Sequence, residues 1–98
     1  MKGVIYVVNA IVLINVARGH VNDMAQHLVT LEGVTEVFSV AGRYDLVAIL
    51  RSHSNERIAE LVTRHIMDLE HITHTEALMA FQAFSKYDLE RMFSLGLE

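Results

Sequence analysis

The chain has 98 residues, of which 52% are hydrophobic, with a mean hydropathy of +0.31, a formal net charge of −4 and no cysteine. This length predicts one domain, residues 1–98, and the lack of cysteine excludes disulfides and a cysteine nucleophile. The eight basic residues are scattered, and no apolar run reaches the ~18 residues of a membrane span. We therefore expect a cytoplasmic protein that binds neither nucleic acid nor membrane directly.

The first part of the chain predicts a strand, a helix and a second strand. Residues 10–16 are rich in β-branched residues and leucine, which favours a buried strand that could begin as early as Val4. Apolar residues then recur at spacings of three and four over residues 21–29, as on one face of a helix. Gly33 is predicted to form the left-handed cap of that helix, and residues 34–41 alternate as the second strand.

The middle of the chain predicts a hairpin followed by a second helix. Residues 42–43 form the connection, and residues 44–51 form the third strand. Residues 52–55 supply N-cap candidates for the helix. Its apolar stripe covers residues 58–69 and includes His65, which we expect in the core or at an interface.

The last part predicts a long fourth strand over residues 73–83 and a short C-terminal helix over residues 87–97. The order βαββαβ predicts an α+β, ferredoxin-like fold, with a four-stranded antiparallel sheet and two helices on one face. Strands one and three are apolar on both faces, as Val47 and Ile49, on the side opposite to Leu46, show for strand three. The face without helices is therefore predicted to pack against a second copy in a homodimer.

The turn Gly42-Arg43-Tyr44-Asp45-Leu46, set between two apolar strands, carries a resemblance to a known family. The chain resembles the ligand-binding and oligomerisation (RAM) domain of the leucine-responsive/AsnC transcription regulators, from Ala10 to about Phe84. The other stretches that carry the resemblance are Ile11–Ile14, Leu31–Phe38, Val40–Leu46 and Leu69–Glu76. Full-length members have a helix-turn-helix before this domain. Only a few residues precede the first strand here, so we expect a stand-alone sensor that acts on transcription indirectly.

The resemblance implies that a free amino acid or a similar small effector binds between dimers, near this turn. Asp45 could accept hydrogen bonds from an ammonium group, and backbone amides around Gly42 could donate to a carboxylate. Tyr44 could form a wall of the site. Thr75 matches a hydroxyl position of the family, and Ala77 stands where the family often has a second hydroxyl.

Each of these residues also has a purely structural interpretation. Gly42 can serve only to allow a positive φ, and Asp45 can bond turn amides. Tyr44 can be a sheet or interface aromatic, and Thr75 a strand residue. The histidines of His71-x-x-His74 would point to opposite faces of a strand, so neither a metal site nor a cofactor is expected.

The favoured function is a non-enzymatic module that binds an effector and assembles into an octamer or another ring, and that could join a full-length regulator of the family. One alternative is a cofactor-independent monooxygenase or isomerase of the dimeric α/β-barrel type, for which His65, His74 and Asp45 are the available groups. Another alternative is a purely structural assembly unit.

Overall fold

A computed structural model describes residues 8–82 and residue 84. Within residues 8–82 the elements follow the predicted order βαββαβ. The strands are β1 (Val8–Val16), β2 (Val34–Ser39), β3 (Leu46–Ser52) and β4 (Ile72–Ala80), and the helices are α1 (Val21–Leu28) and α2 (Asn55–Glu60), which continues as a π-helical segment (Leu61–Ile66). No helix in this part of the chain is long and apolar enough to span a membrane.

The four strands that the structure describes form one antiparallel sheet in the order β2-β3-β1-β4. Both helices lie on the same face of the sheet. This arrangement confirms the prediction of an α+β, ferredoxin-like fold. Strands β2 and β4 are the two edges, so the centre of the sheet is formed by β1 and β3.

The core lies between the sheet and the helices. Alternate residues of β1 and β3 point toward the helices and are fully buried, as Ile14 and Leu46 show. The helices contribute apolar side chains that face them, including Leu28 and Ile66. The buried apolar residues of the described chain are Ala10, Val12, Ile14, Val16, Leu28, Val34, Leu46, Ala48, Leu50, Ile58, Leu61, Val62 and Ile66.

The opposite side of the sheet, which we call the open face, is also largely apolar. Cross-strand pairing places its residues in rows that run across the sheet. One row is Phe38–Val47–Leu13–Glu76, and the next is Glu36–Ile49–Ile11–Leu78. Phe38 and Leu78 remain 49% and 44% exposed, and no described element covers these rows. The predicted two-sided apolarity of the central strands is thus confirmed.

The second helix begins where the sequence predicts. Ser54 is the N-cap, and its Oγ accepts a hydrogen bond from the Arg57 amide at 3.1 Å. The π-helical segment then shifts the side chains that follow, because i→i+5 bonds place more residues in each turn than the 3.6 of an α-helix. His65 is consequently exposed, so its predicted place in the core is wrong.

Other boundaries also differ from the prediction. Helix α1 ends at Leu28, so Gly33 is not its cap, although Gly33 does have the expected positive φ, at +102°. The connection between β2 and β3 spans residues 40–45 rather than two residues. Strand β4 ends at Ala80, where its pairing with Asn9 is the last, so the predicted strand over residues 81 and 82 is wrong, and β1 begins at Val8, two residues before Ala10. The predicted C-terminal helix over 87–97, the predicted strand end at Ala83 and a further extension of β1 toward Val4 lie outside the described residues.

Candidate functional site

The loop over residues 40–45 joins β2 to β3 at one end of the sheet. It is closed by a hydrogen bond from the Val40 amide to the Asp45 carbonyl at 3.1 Å. Gly42 lies at its exposed tip with φ +128°, and a Cβ built there would meet nothing within 4 Å. Its backbone conformation, and not a lack of space, therefore favours glycine at this position.

Asp45 continues the pairing between β3 and β1 beyond Leu46. Its amide donates to the Ile14 carbonyl at 2.9 Å, as a strand residue would. Its Oδ2 accepts a hydrogen bond from the Val16 amide at 2.8 Å, so the carboxylate replaces a backbone carbonyl in the ladder. At Val16 the pairing of β1 with β4 also changes register. Asp45 therefore holds the loop against β1 at an irregular point of the sheet.

Tyr44 extends toward the edge strand β4. Its hydroxyl donates to Glu76 Oε1 at 2.6 Å, and its ring stacks on that of His74 with centroids 6.4 Å apart. The preceding residue is fixed as well, because Asn15 Nδ2 donates to the Arg43 carbonyl at 2.8 Å. Tyr44, His74 and Glu76 thus form a polar cluster at the end of the apolar rows.

The hydrogen bond and the charges of this cluster change the pKa of the Tyr44 hydroxyl. The pKa of Tyr44 lies above its ordinary value of 10.0, first because the hydroxyl donates to Glu76. Partial burial and the negative charge of Glu76 raise the pKa further, whereas the positive charge of Arg43 lowers it. Charges of opposite sign therefore act on the same hydroxyl.

The residues predicted on β4 point away from this cluster. Thr75 pairs with Ile14, and Ala77 pairs with Val12, so both share the helix side of the sheet with those buried residues. The structure brings Gly42, Tyr44 and Asp45 together in one loop, whereas Thr75 and Ala77 lie on the helix side of the sheet, opposite to the Glu76 side chain that Tyr44 contacts.

Glu76 is a candidate that sequence reasoning did not single out. It follows Thr75 directly and therefore belongs to the other face of the strand. No sequence signal identified it, because only the register of the strands places it in one row with the apolar residues Phe38, Val47 and Leu13. Glu76 is exposed, and Tyr44 is its hydrogen-bond partner.

A second concave region lies at the other end of β3. It is an open cleft of about 760 Å³ between the residues before β2, the end of β3 and helix α2. Arg57 on its wall forms an ion pair with Glu32 at 3.0 Å. None of the predicted ligand-binding residues lines this cleft. The lining residues are Leu31, Glu32, Gly33, Arg51, Ser52, His53, Arg57, Glu60, Leu61 and His65.

The histidines do not converge on one site. His71 stacks on His20 with centroids 3.5 Å apart, while His74 stacks on Tyr44. His65 belongs to the distant cleft. Among the described residues, no group of three or more His, Cys, Asp or Glu side chains could hold a metal ion. Of the groups that the enzyme alternative would need, His65 lies in the distant cleft, whereas His74 stacks on Tyr44, the residue next to Asp45.

Comparison with known proteins agrees with this geometry. Residues 9–89 match the Lrp/AsnC ligand-binding domain family. The structure is similar to the protein TTHA0845 from Thermus thermophilus, at 38% identity and a TM-score of 0.76, over 81% of this chain and 99% of that one. A search of curated proteins found no match.

Two regulators share the fold at lower identity. Escherichia coli AsnC is 21% identical with a TM-score of 0.72, over 78% of this chain and 52% of that chain. The transcriptional regulator NMB0573 from Neisseria meningitidis, solved as an L-Met complex, is 9% identical with a TM-score of 0.71, over 80% of this chain and 52% of that chain. The 98-residue chain therefore belongs to the Lrp/AsnC ligand-binding domain family.

Proposed function

We propose that this domain is an effector-binding module whose ligand is a free α-amino acid or a similar small zwitterion, bound at the loop over residues 40–45. The observation that carries the proposal is the position of this loop. It presents the exposed Gly42 and the Tyr44 hydroxyl beside the end of the open face. Membership of a ligand-binding family supports the binding of a small molecule.

The loop residues have different parts in this proposal. Backbone amides near Gly42 donate to the ligand, since no side chain at Gly42 blocks their approach. Tyr44 forms a wall of the site. Asp45 holds the loop in place through Val16 and has Oδ1 as its remaining acceptor. Thr75 and Ala77 lie on the edge strand β4. They contact the ligand only where a neighbouring dimer places its own β4 next to the loop of the first dimer.

Assembly is the second part of the proposal. The open face packs against a second copy, giving a homodimer, and dimers associate into an octamer or another ring. The apolar rows support this, because large uncovered apolar patches commonly mark interfaces. A ligand between dimers shifts the assembly only if its affinity differs between the assembly states. The module would then act on transcription indirectly, through a full-length regulator of the family.

A thermal melt with each of the twenty common amino acids tests the ligand. A compound at 100 times its dissociation constant stabilises the folded state by about 2.7 kcal/mol if it does not bind the unfolded chain. The expected result is a raised melting temperature for a few related amino acids at constant protein concentration. Analytical ultracentrifugation with and without those compounds then shows whether assembly changes.

A flat response to all twenty amino acids would overturn the ligand part of the proposal and favour the alternative of a purely structural assembly unit. A monomer at all concentrations would overturn the assembly part. The two parts are therefore tested separately, because the melt reports binding and the ultracentrifuge reports association.

A further inference from the structure

The carboxylate of Glu76 occupies an unusual place on the open face. It ends the row that begins with Phe38, Val47 and Leu13, so it is a charge next to an apolar surface. Its one polar partner among the described side chains is the Tyr44 hydroxyl, at 2.6 Å. An ionised carboxylate can accept about four hydrogen bonds. Glu76 therefore keeps most of its acceptor capacity while it lies at a fixed position.

Asp45 is less suited to receive a cation than the sequence suggested. Its Oδ2 is occupied by the Val16 amide, and the residue is half-buried. A ligand that competed for this oxygen would leave the amide without its partner, and an unsatisfied backbone donor is unfavourable. Glu76 is the second anionic group near the loop, and unlike Asp45 it is exposed.

Arg43 supplies the opposite charge. It is exposed in the loop, next to Tyr44, and its charge acts on the Tyr44 hydroxyl, as does that of Glu76. The described residues include no ion pair of the Arg43 guanidinium. A guanidinium binds a carboxylate in a forked arrangement, so Arg43 can hold the acidic end of a small ligand.

We propose that Arg43, Tyr44 and Glu76 form a zwitterion-binding subsite at the end of the open face, in which Glu76 receives the ammonium group and Arg43 the carboxylate. This subsite rests on the proposed function, and it assigns the charges of the ligand to residues that the family resemblance does not name. The Tyr44 ring, whose hydroxyl bonds Glu76, borders the proposed ammonium position, and an aromatic face of this kind attracts a cation.

The test compares three related compounds by isothermal titration calorimetry. They are the amino acid with the largest effect in the thermal melt, its 2-hydroxy acid, which lacks the ammonium, and its decarboxylated amine. Glu76→Gln is expected to weaken the binding of the amino acid about tenfold or more and to leave the affinity for the 2-hydroxy acid unchanged. Arg43→Gln is expected to weaken the binding of the amino acid to a similar extent and to leave the affinity for the amine unchanged.

Matched controls lie on the same face. Glu36→Gln removes a carboxylate from the opposite edge strand, and Arg51→Gln removes a guanidinium from the other end of β3. Both variants are expected to bind the amino acid with the affinity of the original protein. Circular dichroism establishes that each variant is folded, and all four substitutions are at exposed positions.

The outcomes separate the subsite from the proposed function. If the original protein binds an amino acid and both Glu76→Gln and Arg43→Gln bind it equally well, the subsite is wrong and the effector function stands. If Glu76→Gln weakens the binding of the 2-hydroxy acid, and Arg43→Gln that of the amine, as much as the binding of the amino acid, the proposed recognition of the two charges is also wrong. If the original protein binds no amino acid, the proposed function and the subsite are both overturned.

Discussion

The carboxylate of Asp45 lies 2.8 Å from the amide nitrogen of Val16, where it takes the place of a backbone carbonyl in the pairing of β3 with β1. Asp45→Ala removes this acceptor and leaves the Val16 amide unpaired. We expect a loss of about 1–3 kcal/mol in the free energy of unfolding, measured by urea denaturation. Asp45→Asn keeps an oxygen at the same position and is expected to lose less.

A suitable control is Asp68→Ala, because Asp68 is exposed and has no described hydrogen bond or ion pair. It is expected to change the stability by less than about 0.5 kcal/mol. Equal stabilities for Asp45→Ala and the original protein would contradict the role assigned to the Val16 contact. In that case the predicted use of Asp45 as an acceptor for a ligand would be favoured again.

The Tyr44–Glu76 hydrogen bond has a consequence for titration. Because this bond and the Glu76 charge raise the pKa of Tyr44, Glu76→Gln is expected to lower that pKa toward its ordinary value. The measurement is the ultraviolet absorbance of tyrosinate during an alkaline titration, with Tyr44→Phe to identify the signal among the three tyrosines. An unchanged titration in Glu76→Gln would show that the bond is not formed in solution.

The same contact predicts a loss of stability at high pH. A folded-state pKa above the unfolded value of about 10 means that the folded protein holds this proton more tightly. The resulting stabilisation is fully present below pH 10 and is lost as the pH rises through the pKa of folded Tyr44. The loss is the difference between the free energies of unfolding measured at pH 9 and above about pH 10.5. We expect this difference to be smaller in Glu76→Gln and in Tyr44→Phe than in the original protein.

The fold could be predicted from the sequence because its signals are local and repeated. The apolar run of β1, the alternation in β2 and the spacing of apolar residues in the helices each depend on side chains a few positions apart. Ser54 as an N-cap is a signal of the same kind. The π-helical segment has no comparable pattern, so a regular α-helical stripe placed His65 wrongly.

The candidate site was harder to predict, because its contacts join distant parts of the chain. Asp45 bonds a residue 29 positions away, and Tyr44 bonds one 32 positions away. The turn residues were found because Gly42, Tyr44 and Asp45 lie close together in the sequence, between two apolar strands. Glu76 became visible only through the register of β4 with β1, which places it in one row with Leu13. No sequence pattern specifies that register to a single residue.

Gly33 differs from the other described glycines in what surrounds it. Its φ is +102°, and a Cβ there would lie 3.0 Å from Leu61 Cδ2. Gly33→Ala therefore combines backbone strain with a steric contact, and we expect a destabilisation of about 2–4 kcal/mol. Gly19→Ala is the control, because it has φ +86° but meets nothing within 4 Å. Its expected cost is the strain alone, about 1–2 kcal/mol. Equal melting temperatures for the two variants would refute the Leu61 contact.

If the open face is the interface of the proposed homodimer, a charged substitution on this face weakens dimerisation. Val47 lies in the middle of its first row, between Phe38 and Leu13. Val47→Asp would place an unpaired charge inside the interface, which weakens dimerisation about a hundredfold or more. Phe38→Asp is the milder variant, because Phe38 is on an edge strand and is 49% exposed. We therefore expect the Phe38→Asp protein to remain folded.

Val29→Asp provides the comparison for these two variants. Val29 is also 49% exposed, but it follows α1 on the helix side of the sheet. We expect it to sediment as the original protein does, whereas Val47→Asp and Phe38→Asp sediment as smaller species in analytical ultracentrifugation. A folded Phe38→Asp protein with unchanged association would show that the open face is not the dimer interface. Reduced association in all three variants would instead indicate a general loss of stability, because only two of the substitutions are on the open face.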